Sequence, residues 1–248
     1  MADSKRSKAP KRIDNQPKKA VSPSLLNRGE STPFGAMHCD VTFSDKAYAQ
    51  IEEMIVTLQL PPGTVLSELA LANRLGIGRT PIREALQRLS RDGLVNILPR
   101  RGVLVSDIDI RAQLRVLEVR RELDRLLARS AATRATQREQ AQFSALAAEM
   151  RQAAAKVDDI AFMRLDKKFN TLVLLVARNE FAARAMGLIH GLSRRFWYQH
   201  YKRTADLPLA ARLHAEVAEA VAAQAPDDAA TASDRLVDYI ESFARSTL

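Results

Sequence analysis

The chain has 248 residues with 46% hydrophobic content, enough for packed cores in two units of ordinary size, and its single cysteine, Cys39, excludes an intrachain disulfide framework. With 38 Lys and Arg against 29 Asp and Glu the formal net charge is +9, a balance that suits a polyanionic partner such as nucleic acid. No apolar run is long enough to span a bilayer and the N-terminus lacks the apolar core of a secretory leader, so no membrane association and a reducing, cytoplasmic setting are expected.

Residues 1–40 are rich in Lys, Arg, Ser and Pro without a sustained apolar period, and read as a disordered basic tail. Lys5, Arg6, Lys8, Lys11, Arg12, Lys18 and Lys19 there form either a phosphate-gripping arm or a solvated leader. Order is expected from Ser44, as the cap of a helix reaching about Leu60 with Ala47, Ile51, Met54, Ile55 and Leu58 at helical spacing, ended by Pro61, Pro62 and Gly63. Ser67 is placed to cap a second helix with Leu69, Leu71, Ala72 and Leu75 on its buried side, closed by Gly76. A tight turn leads to a third helix with Thr80 at the N-cap, Pro81 at the first helical position, Ile82, Ala85, Leu86 and Leu89 on the apolar face, and Gly93 past its end. LVNIL and GVLV, separated by Pro99, Arg100, Arg101 and Gly102, predict a β-hairpin with a basic tip.

Helix, helix, turn, helix, hairpin over residues 41–106 is a winged helix-turn-helix. From 107 to 248 the pattern is helical throughout, with helices expected near 110–134, 137–156, 158–177, 179–203, 207–224 and 227–246. The expected fold class is mostly α: an N-terminal winged helix-turn-helix with a small β-hairpin wing, then an all-α antiparallel bundle.

Between Arg74 and Val105 seven arginines stand against Glu84 and Asp92, so positive charge concentrates on the motif. Arg79 precedes the third helix and Arg83 lies in its first turn, where both reach base edges or phosphates once that helix end enters a major groove. The planar guanidinium fork suits guanine, and Thr80 with the free N–H groups of the helix start suits a phosphate. Arg100 and Arg101 at the hairpin tip are placed to straddle the minor groove, with Gly102 allowing the close turn.

The stretch LQLPPGTVLSELALANRLGIGRTPIREALQRLSRDGLVNILPRRGVLV resembles the N-terminal domain of GntR-family transcription regulators over its whole length. Arg79, Thr80, Pro81, Arg83, Glu84, Ala85, Leu86, Asp92, Gly93, Leu94, Arg101, Gly102 and Val105 fill the places of the family signature. The resemblance implies that Arg79, Thr80, Arg83, Arg101 and Gly102 contact DNA. Two departures stand out: Gly78 where the family usually has Ser, and Leu69 where some members have a DNA-contacting Arg.

The second half resembles the helical FCD effector domain of the FadR-like branch, through EVRRELDRLLARSAA, DKKFN, ARNEFAARAM, LSRRFWYQHY, LHAEVAEAV and DRLVDYI. In that family a small molecule, often a carboxylate, sits inside the bundle, commonly beside a divalent metal held by an Asp-x-x-x-His pair and two later histidines. Asp166 and His214 fill two of those places, whereas Asn170 replaces the paired His and Tyr239 falls near the last one. The implied effector residues are Arg120, Asp166, Asn170, Arg194, His214 and Tyr239, with Asp166, Asn170 and His214 as candidate metal ligands weakened by the Asn and Tyr replacements. Asp166 and Asn170, four apart, share one helix face. Arg120 either pairs with Asp124 or clamps a ligand carboxylate, and one of Arg194 and Arg195 points inward, the sequence leaving open which.

These readings imply a ligand-responsive repressor rather than an enzyme, working as a homodimer on a pseudo-palindromic operator because paired helix-turn-helix units read half-sites about one helical turn apart. The alternatives are a metal-dependent hydrolase or lyase in the helical part, which lacks an evident nucleophile, and an architectural nucleic-acid protein that senses nothing.

Overall fold

The structure, a computed structural model, describes residues 41–100 and 102–247; the basic tail and Arg101 lie outside the described residues. Helix α1 (Phe43–Val56) is capped by Thr42 rather than Ser44. Thr42 is extended, its Oγ1 accepts the Asp45 N–H at 3.1 Å, and the Asp45 carboxylate accepts the Thr42 N–H in return, a capping box that leaves Ser44 inside the first turn. The helix ends four residues earlier than expected because Leu58 turns left-handed (φ +60°), which lets Leu60 fold back onto the Met54 carbonyl at 2.9 Å. Thr42→Ala is expected to cost roughly 1 kcal/mol in urea unfolding, as removal of such a cap typically does.

The second helix, α2 (Glu68–Leu75), is capped by Ser67 and closed by Gly76 in the left-handed conformation (φ +66°). Leu71 is buried there, but Leu69 is 56% exposed, against expectation. Residues two positions apart on a helix point about 200° apart, so Leu69 and Leu71 cannot share a face.

Helix α3 (Arg79–Arg91) begins at the N-cap Gly78, which supplies no side-chain hydrogen bond. Thr80 and Pro81 therefore sit inside the first turn, not at the cap and first position as expected. Proline fits there because its missing N–H belongs to a turn whose donors have no partner within the helix. Ile82, Ala85, Leu86 and Leu89 are all buried, as the apolar period predicts.

The wing is β2 (Val95–Leu98) antiparallel to β3 (Gly102–Val105), and a strand not foreseen, β1 (Val65–Leu66), completes a sheet of order β1-β3-β2. Two residues show no alternation, so β1 has no signature in the sequence. The core of this part packs Ile51, Ile55, Ile82, Leu86 and Leu89 against Leu94, Val95 and Val105.

The rest is helical: α4 (Ile110–Arg134), α5 (Gln137–Lys156), α6 (Asp159–Val176), α7 (Glu180–Thr204), α8 (Leu207–Ala222) and α9 (Pro226–Arg245). Five of these starts are set by local chemistry: Asp109, Thr136, Asp158, Asn179 and Asp206 each accept a backbone N–H from the turn they begin. Helix α4 packs on α9 and α5 on α8, around buried Phe143, Met150, Val176 and Val221, with Ala131, Ala215, Ala218 and Ala229 allowing close approach. Helix α7 reaches beyond this bundle, since its Leu192 packs against the winged-helix core. No helix among the described residues is long and apolar enough to cross a membrane.

Candidate functional site

Two constellations stand out, the first an arginine face on the winged helix. The side chains of Arg79 and Arg83 at the start of α3 are 63% and 59% exposed. Glu68 of α2 gathers both: Arg83 donates from Nε and Nη2 to its two carboxylate oxygens at 3.0 and 2.9 Å, and Arg79 Nη2 lies 3.7 Å from Oε2. Thr80 is exposed beside them, and since Gly78 offers no capping oxygen the N–H groups of this helix start are left for an outside acceptor.

Arg100 is exposed at the wing tip with φ +61°, and Gly102 adopts φ +93°, a conformation only glycine takes without strain. Arg101, expected beside them, lies outside the described residues. Not every arginine of the motif belongs to this face. Arg88 donates to Asp45 at 2.7 Å and stacks 4.4 Å from the Tyr48 ring centre, so it ties α3 to α1.

The second constellation is a cavity among α4, α6, α7, α8 and α9. Its lining includes Arg120, Asp166, Asn170, Arg194, His214 and Tyr239. On α6, Asp166 takes two partners: Asn170 Nδ2 donates to its Oδ1 at 2.8 Å, and His214 Nε2 lies 3.0 Å from the same oxygen. His214 is anchored from behind by Nδ1 on the Ala210 carbonyl at 2.8 Å and is wedged edge-on between Phe162 and Phe169. Burial pushes the Asp166 carboxyl up, but the hydrogen bond and charge of His214, with His190 and Arg194 nearby, outweigh it and hold the group at about 2.

Of its two alternatives, Arg120 takes the pair with Asp124, and it also reaches the cavity wall. One edge of the guanidinium holds Asp124, with Nε 3.1 Å and Nη2 3.0 Å from Oδ2, while Nη1 donates to Ser193 Oγ at 2.9 Å on the cavity wall. Of the arginine pair on α7, it is Arg194 that lines the cavity. Arg195 turns the other way, donating from Nη1 and Nη2 to the carbonyls of Ser106 and Asp107 at 2.9 Å each. Burial lowers its pKa to about 10.

The sequence reading missed His190, Gln113 and Ser193, all on the lining. His190 lies four residues before Arg194, so helical spacing alone could have placed it on the same face. Burial, helped by Arg120, pushes its pKa down to about 4, so it is a neutral imidazole at pH 7.

As metal donors this set is short. Asp166 and His214 are strong ligand types, but Asn170 turns its NH₂ toward the carboxylate, and Tyr239 Oη donates to the Asp206 carbonyl at 2.9 Å with a pKa raised to about 12 by burial. No group of three or more His, Cys, Asp or Glu side chains among the described residues is placed to hold a metal ion. The residues do not fit the three-strong-donor arrangement of first-row sites.

Comparison with known proteins bears on both constellations. A relative from Streptomyces ambofaciens, an uncharacterized HTH-type transcriptional regulator in an unstable DNA locus, is 45% identical over 62 residues, covering 25% of this chain and 26% of that protein's length. The HTH-type transcriptional repressor RspR of Escherichia coli K12 is 25% identical over 178 residues, or 72% of this chain and 78% of that protein. Among solved structures, E. coli McbR/YncC shares the fold with a TM-score of 0.73 at 18% identity, over 84% of this chain and 99% of that one. The profile described as bacterial regulatory proteins, gntR family, matches residues 43–105, and the FCD domain profile matches residues 115–239. The chain therefore belongs to the gntR family of bacterial regulatory proteins, with an FCD domain following its helix-turn-helix.

Proposed function

We propose that this chain is a DNA-binding transcription regulator whose operator affinity is set by a small carboxylate held in the helical cavity, and that the ligand relieves repression. The observation that supports it best is the pair of arginines on the cavity wall: Arg120 and Arg194 both line it. Arg120 already holds Asp124 and Arg194 already holds Glu53, so a ligand carboxylate would bind to the N–H donors these pairs leave over or would displace one of the protein carboxylates.

On the DNA side, Arg79 and Arg83 read base edges in the major groove, Thr80 and the open N–H groups of α3 take a phosphate, and Arg100, Arg101 and Gly102 carry the wing onto the minor groove. The working unit is a homodimer on a pseudo-palindromic operator. Ligand must bind the DNA-competent and DNA-incompetent arrangements unequally to act at all.

A thermal-shift series with acetate, succinate and citrate, with and without EDTA, tests the sensor. A carboxylate at about 100 times its Kd adds roughly 2.7 kcal/mol to the stability of the folded state, a clear rise in Tm. That rise is expected to survive EDTA and to vanish in Arg194→Gln. No rise with any carboxylate sinks the effector reading and leaves a DNA-binding protein that senses another class of ligand or none.

A further inference from the structure

Five consecutive residues of α7 face two ways at once. A Cβ on Gly191 would come within 3.1 Å of Glu52 Oε1 and Leu94 Cδ1, so α7 lies close against the winged helix there. Leu192 packs into the winged-helix core and touches the space beside Gly93. Ser193 turns to the cavity, accepting from Arg120 at 2.9 Å and from Gln113 at 3.1 Å. Arg195 holds the carbonyls of Ser106 and Asp107, on the segment between β3 and α4.

Arg194, in the middle, belongs to both sides. It lines the cavity, and its Nη2 donates to Glu53 Oε2 of α1 at 3.3 Å. The other partner of that carboxylate is Lys167 of α6, also at 3.3 Å, whose side chain is 61% exposed against 14% for Arg194. Burial works to raise the Glu53 pKa, and Arg194 followed by Lys167 outweighs it, so the carboxylate depends on Arg194 more than on Lys167. A contact of 3.3 Å is longer than the usual 2.7–2.9 Å of charge-assisted hydrogen bonds, so the pair is loose enough to be redistributed. An outer groove lined by Glu53, Lys167, Met163, Arg194 and Tyr198 shares the last three with the cavity, so the junction with α1 lies at the cavity's mouth.

We infer that Arg194 is the shared contact through which the cavity reports to the winged helix: a ligand carboxylate and Glu53 of α1 compete for one guanidinium. This rests on the carboxylate reading proposed above. When the ligand takes Arg194, Glu53 keeps only exposed Lys167, and the Glu53–Arg194 hydrogen bond between α1 and α7 is lost. Since coupling is reciprocal, Glu53 in turn weakens ligand binding in the free protein by the same factor.

The test uses Glu53→Gln, which keeps size and removes the competing charge. Trp197, the single tryptophan of the chain, lines the cavity and reports titrations with acetate, succinate and citrate. A duplex selected by the wild-type chain from a random pool reports DNA affinity by fluorescence anisotropy. Expected in the variant are a carboxylate Kd lower by roughly 5-fold or more and loss of most of the ligand-induced change in duplex affinity. An unchanged carboxylate Kd overturns the inference. So does a lowered Kd with the full DNA response retained, because that is the signature of a long-range field rather than a shared contact; the effector reading survives both results. If no carboxylate binds either protein, the effector reading itself fails and the inference falls with it.

Discussion

Arg83→Ala and Arg79→Ala are each expected to weaken binding to the selected duplex by roughly 10- to 100-fold, the loss that follows removal of a two-bond contact to a base edge. Both side chains are more than half exposed, so Tm should hold. Their bonds to Glu68 are surface ion pairs, which contribute little to stability at ordinary salt. In the free protein those bonds keep the two guanidinium groups side by side at the start of α3, and on DNA they must be shared with or given up to the bases. Arg83→Lys separates fork from charge: it should retain binding to scrambled duplex and lose most of the preference for the selected one. Anisotropy titrations at one fixed salt concentration, on selected and scrambled duplexes, make the comparison. Normal affinity in both alanine variants would mean that another face of the protein reads the DNA.

The second large effect is on stability. Arg195→Ala is expected to lower the unfolding free energy by about 3 kcal/mol, seen as a shifted urea midpoint with an unchanged slope. Arg195 is 3% exposed and is the donor to two carbonyls of the segment that joins the wing to α4. Its removal takes the donor from both carbonyls and opens a void beside them. The loss is smaller than the sum of those penalties, because burial already disfavours the charged guanidinium, whose pKa falls to about 10, and Arg195 Nε has no hydrogen-bond partner among the described residues. Arg195→Lys keeps the charge but cannot bridge two carbonyls with a rigid fork, and should recover only part of the loss. A change below about 0.5 kcal/mol for the alanine variant would show that the linker is held by packing alone, since substitutions of that size mark sites without a specific role.

Much of this architecture is readable residue by residue because its signals are local. Ser67 and Gly76 bracket α2 within a few residues, and Ile82, Ala85, Leu86 and Leu89 mark the buried face of α3 by spacing alone. Gly102 could be placed because the hairpin tip needs a conformation with positive φ. Where two local signals compete, the reading slips. Thr80 before Pro81 looks like a cap, yet the cap of α3 is Gly78, two residues earlier, since proline is tolerated anywhere in the first turn. Thr42 displaces Ser44 because Asp45 answers it across the capping box, and Asp45 is then held again by Arg88 from α3.

Caps, turns and apolar periods act over one or two turns of chain, so the order and type of the helices, the arginine-rich start of α3 and the helix face that carries Asp166 with Asn170 are legible locally. Only the tertiary structure decided that Arg194 and not Arg195 lines the cavity, that His190 and Ser193 join it, and that Glu53 of α1 reaches Arg194 across 141 positions of sequence. Adjacent residues on a helix point about 100° apart, so which of two arginines faces inward depends on how α7 is rotated against its neighbours. That rotation is set by the packing of Leu192 and Phe196 on two different cores, a long-range balance that no window of sequence contains.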